Sequence, residues 1–259
     1  MSGEVLLRHD GAIATVSLSA PERLNALDLA MWRQVGEHFL AIARDDAVRC
    51  VILRGEGDKA FAAGADIAEF AHERSNLQQA RSYGGAMHAA LDAILACPQP
   101  VVAAIQGACV GGGLELASTC DLRICGLGSR FGVPVNRLGL VVAYNEMRPL
   151  VELVGKAVAL EIVLEGRVFG AAEAKDKGLV NRVVPDSEVM AESLATAARI
   201  AQGAPLVARW HKKFARRLLD PRPLTPEEAD ESFHCFETED FQIGYRAFLE
   251  KRQPTFKGR

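Results

Sequence analysis

The sequence predicts an α/β fold around a parallel or largely parallel sheet. Two short apolar runs, residues 48–53 (VRCVIL) and 101–105 (VVAAI), read as buried strands, and segments of helical period lie around them. Strand, helix and strand in alternation is the pattern of βαβ units. The third observation is the stretch over residues 101–121 (VVAAIQGACVGGGLELASTCD), where the apolar run meets Gly111, Gly112 and Gly113 before Leu114-Glu115-Leu116-Ala117 opens a helix. Strand, glycine turn, helix start is the expected order. Glycines let backbone approach a ligand closely, and the first turn of a helix leaves N–H groups without internal partners at an end that favours negative charge. Glu115 then sets a carboxylate beside that spot. This is either an arrangement for proton transfer next to a stabilised oxyanion or a solvated Glu at a helix start.

A chain of 259 residues, 49% apolar and 24% charged, buries a substantial core at the upper end of what one domain holds. Its net charge of −3 and pI near 6.1 supply no basic field, so neither nucleic acid nor an anionic membrane is an expected partner. Cys50, Cys97, Cys109, Cys120, Cys125 and Cys235 sit mostly inside apolar runs without a C-x-x-C pair, and the opening MSGEVLLRHDG lacks a basic segment followed by an apolar one. Buried thiols in a reducing cytoplasm are the expectation. No run reaches the roughly 18 apolar residues of a membrane-spanning helix.

In chain order, residues 5–7 and 13–18 read as strands joined at Asp10-Gly11, a dipeptide that favours a tight hairpin. A polar loop over residues 21–28 follows, and Asp28 caps a helix over 29–43 with Met31, Val35, Phe39 and Ile42 on one face. After the strand at 48–53 comes a loop of small residues, 55–67. In a parallel sheet, loops after successive strands emerge at one edge, so this loop and the glycine turn can face one pocket and supply two N–H groups to it. Residues 66–96 are helical in period, with Phe70, Leu77, Tyr83, Met87, Leu91 and Ile94 as the apolar set. His72 and His88 in this stretch read as exposed or half-buried helix residues. Residues 122–125 resume a strand, 151–165 and 171–177 are helical with glycine stops, and 179–184 is strand-like. The tail over 187–251 is helical, with Thr225, Pro226 and Glu228 forming a capping box.

Several of these segments, in this order and spacing, resemble the enoyl-CoA hydratase/isomerase (crotonase) family. They are Asn25-Ala26-Leu27-Asp28, Phe61-Ala62-Ala63-Gly64-Ala65-Asp66-Ile67, and Gly107-Ala108-Cys109-Val110-Gly111-Gly112-Gly113-Leu114-Glu115-Leu116-Ala117. The likeness continues through Phe131-Gly132-Val133-Pro134, Ala171-Ala172-Glu173-Ala174, Gly178-Leu179-Val180 and Phe248-Leu249-Glu250-Lys251-Arg252, and so covers nearly the whole chain.

The resemblance implies a repeated ββα spiral core over residues 1–185 with an acyl-CoA site, and a helical region over 186–259 that mediates trimerisation. It implies an oxyanion hole from the Ala65 and Gly112 N–H groups, with Glu115 matching the first catalytic glutamate of the hydratases and able to deprotonate the attacking water. Ala63 and Ile67 match the coenzyme A pocket together with neighbouring Asp66 and Gly111, Asn25-Ala26-Leu27 matches a nearby turn, and Phe248 and Lys251 match positions that meet a neighbouring subunit's coenzyme A. A homotrimer or a pair of trimers follows. No metal and no cofactor is expected, coenzyme A being part of the substrate.

The chain also departs from the family. Two-glutamate hydratases carry their second carboxylate directly after the proline that matches Pro134, and here Val135 stands there, followed by Asn136-Arg137. Tyr144 and Glu146 are candidate replacements. Each has a structural alternative, Tyr144 as a packing residue and Glu146 as a first-turn acid that favours the helix dipole. A hydratase-like lyase leads, ahead of a single-glutamate decarboxylase, isomerase or hydrolase, or a non-catalytic acyl-CoA binder. Tyr83, Met87, Val135 and Tyr144 are the residues expected to shape the acyl pocket.

Overall fold

The computed structural model describes residues 2–259. Strands β1 (Glu4–Asp10) and β2 (Ile13–Ser19) form the expected antiparallel hairpin, turned at Gly11 with φ +56°. Alongside lie β3 (Cys50–Gly55), β5 (Val101–Ile105), β7 (Leu122–Gly126) and β10 (Arg182–Val184), all parallel, in the order β1-β2-β3-β5-β7-β10. A second sheet has the order β4-β6-β8-β9, from β4 (Ala60–Ala62), β6 (Ala108–Val110), β8 (Arg130–Gly132) and β9 (Phe169–Gly170). Each of the pairs β3-β4, β5-β6 and β7-β8 gives one strand to each sheet before the chain turns helical, which is the ββα repeat of the crotonase fold. The second-layer strands were not expected from sequence. At two or three residues each they carry no readable period, so the 55–67 loop and the 101–121 stretch each hide one.

The centre of the larger sheet is covered on both faces, which is why β3 and β5 are continuous apolar runs rather than alternating ones. On one face lie α1 (Leu29–Ile42) and α3 (Leu77–Ala96), with Trp32, Val35 and Phe39 packed beside Tyr83, Leu91 and Ile94. Asp28 starts α1 by accepting the Met31 N–H at 2.9 Å. The Trp32 indole N–H donates to the Tyr83 hydroxyl, which donates to the Leu27 carbonyl, both at 3.2 Å. On the other face, Val189 and Ala197 of α7 (Val189–Gln202) close a cluster with Cys50, Ile52, Val102 and Ile124. Burial raises the thiols of Cys50, Cys120 and Cys125 to about 12, so they are small core residues and not nucleophiles.

The helical run at 66–96 is broken. Asp66 caps a single 3-10 turn, α2 (Phe70–Glu73) follows, and Asn76 restarts the chain as α3. The short helix α4 (Gly112–Ser118) carries Glu115. Helix α5 (Tyr144–Glu165) begins seven residues before the apolar period does, and it is interrupted at Gly155, whose φ of 77° and ψ of 159° are not helical. Beyond α6 (Ala171–Asp176) and α7, the tail contains α8 (Pro205–Arg217), α9 (Pro226–Asp230) behind its Thr225–Glu228 capping box, and α10 (Glu239–Leu249). The basic run of α8 is tied internally: Lys212 pairs with Asp121 at 2.6 Å, and Arg217 with Glu228. Among the described residues no helix is long and apolar enough to cross a membrane.

Candidate active site

Two second-layer loops meet backbone to backbone. After β4 the chain passes through Ala63, Gly64 and Ala65, with Gly64 at φ +114°. The Asn25-Ala26-Leu27 turn braces this loop. The Ala63 N–H donates to the Leu24 carbonyl at 3.0 Å, the Leu27 N–H to the Gly64 carbonyl at 2.8 Å, and the Asp66 N–H to the Leu27 carbonyl at 2.8 Å. Leu24 and Asn25 hold left-handed backbone, which Asn tolerates. The Asn25 amide locks the turn by donating to the carbonyls of Glu56 (3.0 Å) and Ala60 (2.8 Å). After β6 the chain turns at Gly111 into α4. A Cβ on Gly113 would lie 2.2 Å from the Ala62 carbonyl oxygen, so only glycine lets the second loop close on the first. The closure leaves the N–H groups of Ala65 and Gly112 without an acceptor among the described residues.

Ala65 and Gly112 both lie on the wall of a cleft that also includes Ala63, Ile67, Gly111, Glu115, Pro134 and Val135, as well as Phe70, Arg74, Met87, Leu138, Leu140, Val141 and Glu146. Glu115 is 6% exposed, and its carboxyl group has no hydrogen-bond partner among the described residues. Burial and then the charge of Glu146 push its pKa up to about 8, with Arg74 opposing. Glu146, 7% exposed, accepts the Ala143 N–H at 2.9 Å through Oε2, and its Oε1 lies 2.9 Å from Nε2 of His88 on α3. Two carboxyl groups from different helices, Glu115 on α4 and Glu146 on α5, therefore share one cleft wall with two donors that have no acceptor among the described residues.

The remaining sequence candidates lie elsewhere. Tyr144 is 91% exposed and off the cleft wall, so the pocket-shaping role expected for it is corrected; two residues along a helix is a rotation of about 200°, which turns Tyr144 outward when Glu146 turns inward. Tyr83 is a core residue rather than a wall residue. Asn25, Ala26 and Leu27 support the wall from behind, and Asp66 pairs with Arg23 while capping the turn at Ala68. Phe248 and Lys251 are exposed at the end of α10, away from the cleft. Sequence reasoning missed Arg74 and the contact of His88 with Glu146. No local pattern marks either, because both depend on how α2, α3 and α5 pack.

The two-layer ββα spiral with a cleft walled by its second-layer loops defines a crotonase-type protein. A family model described as enoyl-CoA hydratase/isomerase matches residues 8–259. Among relatives, the chain is 34% identical to the short-chain-enoyl-CoA hydratase of Clostridium acetobutylicum over 251 residues, covering 96% of this chain and 95% of that one. It is 34% identical to the crotonyl-CoA hydratase of Syntrophomonas wolfei over 254 residues, covering 97% of each. Among solved structures it is similar to an enoyl-CoA hydratase/carnithine racemase from Magnetospirillum magneticum, with a TM-score of 0.97, 52% identity, and coverage of 98% of this chain and 96% of that one. The chain belongs to the enoyl-CoA hydratase/isomerase family.

Proposed function

We propose that this protein adds water across the double bond of 2-enoyl-CoA thioesters, with Glu146 supplying the carboxylate that Val135 cannot. The observation that carries this reading is the convergence of Glu115 and Glu146 on one cleft beside the free N–H groups of Ala65 and Gly112. Conjugate addition of water builds negative charge on the thioester oxygen. Two preorganised donors are suited to hold it, and the loss of one such donor typically costs about 10²- to 10³-fold in rate.

The two carboxyl groups divide the proton work by environment. Burial keeps Glu115 protonated at neutral pH, which fits it to deliver a proton to the α-carbon. Glu146, held by the Ala143 N–H and His88, fits the base that takes a proton from water as its oxygen bonds to the β-carbon. This reverses the role the resemblance gives Glu115. Passage of one proton from Glu146 back to Glu115 resets the pair, and the net change is one water added. Ala63 and Ile67 are the residues proposed to flank coenzyme A.

Self-association belongs to the same proposal. Phe233, Phe236, Tyr245, Phe248 and Leu249 are each more than half exposed near the C-terminus. A homotrimer or a pair of trimers would cover them, and would bring Phe248 and Lys251 toward a neighbour's ligand. Light scattering that finds a stable monomer at micromolar concentration rejects that part.

The test of the reaction is crotonyl-CoA with purified protein, following loss of enoyl-thioester absorbance and formation of the 3-hydroxyacyl product. Hydration supports the reading. Double-bond migration in a 3-enoyl-CoA, or decarboxylation of a malonyl-type thioester, without hydration would reassign the site.

A further inference from the structure

Arg74 is the only cation on the cleft wall among the described residues. It directly follows α2, and its guanidinium carbon lies 4.6 Å from the centre of the Phe70 ring and 4.8 Å from that of Tyr83. Held between two aromatic faces, the guanidinium has a fixed place and pays little to stay there. The side chain makes no hydrogen bond to any described residue, and no carboxylate lies within the 4.0 Å of an ion pair.

That isolation decides between two roles. An arginine present only to neutralise the cleft's acids would pair with one of them. Glu115 has no hydrogen-bond partner among the described residues, yet Arg74 does not reach it, and Glu146 is already held by Ala143 and His88. The nearby wall is otherwise apolar, with Met87, Leu138, Leu140 and Val141. A plain hydrocarbon chain filling this space would strip water from an unpaired guanidinium and return nothing to it, which is unfavourable. A carboxylate on the chain would meet it through paired, charge-assisted N–H donors.

We propose that the acyl group taken by this site carries a second carboxylate, remote from the thioester, and that Arg74 recognises it. The substrate class is then the coenzyme A thioester of a dicarboxylic acid. This inference rests on the acyl-CoA reading above but not on which reaction follows binding.

The experiment compares affinities for glutaryl-CoA and pentanoyl-CoA, which share a five-carbon acyl chain and differ in the terminal carboxylate. Isothermal titration is run on the intact protein and on Arg74→Met and Arg74→Lys. The intact protein should bind glutaryl-CoA at least about tenfold more tightly, in line with the strength of a hydrogen bond to a charged group. Arg74→Met should lose or invert that preference, and Arg74→Lys should keep part of it. Equal affinity in the intact protein, tighter pentanoyl-CoA, or a preference that survives in Arg74→Met would overturn the proposal. The first comparison needs no variant, so a folding defect cannot mask the answer. Tight, carboxylate-selective binding without hydration of any enoyl-CoA would sink the hydratase reading and leave this one standing, whereas failure to bind either thioester sinks both.

Discussion

Replacing Glu115 by Gln should stabilise the protein in alkali and leave it nearly unchanged in acid. Burial first, and then the charge of Glu146, push this carboxyl up from the ordinary 4.5 to about 8 in the folded chain. Between those values the folded state keeps a proton that the unfolded state has released, so wild-type stability falls as pH rises through the window. The full slope is about 1.4 kcal/mol per pH unit, which sets a ceiling of about 5 kcal/mol across the window. Water entering the open cleft and relaxation around the two glutamates reduce this to on the order of 2–3 kcal/mol. Gln preserves volume and cannot ionise, so the variant escapes the loss. Urea unfolding followed by the fluorescence of buried Trp32, at fixed protein concentration, gives the comparison. The two proteins should agree within about 1 kcal/mol near pH 5, with the variant ahead by about 2–3 kcal/mol near pH 9. A difference that stays flat over this range, or one in which the wild type gains ground in alkali, would refute the claim that Glu115 is held protonated by its surroundings.

Two further outcomes follow from the geometry. His88 lies 2.9 Å from Glu146 and does not line the cleft, so His88→Ala should lower kcat about tenfold with little change in KM, while His88→Gln, which can still donate, retains most of the rate. Steady-state kinetics in which KM alone moves would show that His88 does not act through Glu146. Gly113→Ala puts a Cβ 2.2 Å from the Ala62 carbonyl oxygen and should cost about 1–3 kcal/mol, lowering the melting temperature by several degrees. An unchanged melting temperature would mean that the two loops are not closed as described.

What was legible in the sequence was local. The Asp10-Gly11 hairpin, the Asp28 cap, the apolar strand at Val101–Ile105 and the capping box at Thr225 each declare themselves within a few residues, and each forms. The donor loops were legible because glycine and alanine are needed where backbones touch, as at Gly113 against Ala62. The acids were only half legible. Whether Tyr144 or Glu146 faces the cleft depends on where α5 starts, and an error of one residue turns every side chain by about 100°. Arg74 and His88 lay beyond local reading, because their roles arise where α2, α3 and α5 come together from distant parts of the chain. The strands β4, β6 and β8 were lost for a simpler reason, being shorter than any period that would announce them.

The central claim is that Glu146 stands in for the carboxylate missing at Val135. It is tested most directly by the rate of crotonyl-CoA hydration in Glu146→Gln against the wild type, with Tyr144→Phe as the control for a residue two positions away that faces solvent. Loss of a general acid or base typically costs about 10²- to 10⁴-fold, so Glu146→Gln should lose that much kcat while Tyr144→Phe stays within about twofold of the wild type. Hydration in Glu146→Gln at the wild-type rate would contradict the account and return the second proton-transfer role to water or to Glu115 alone.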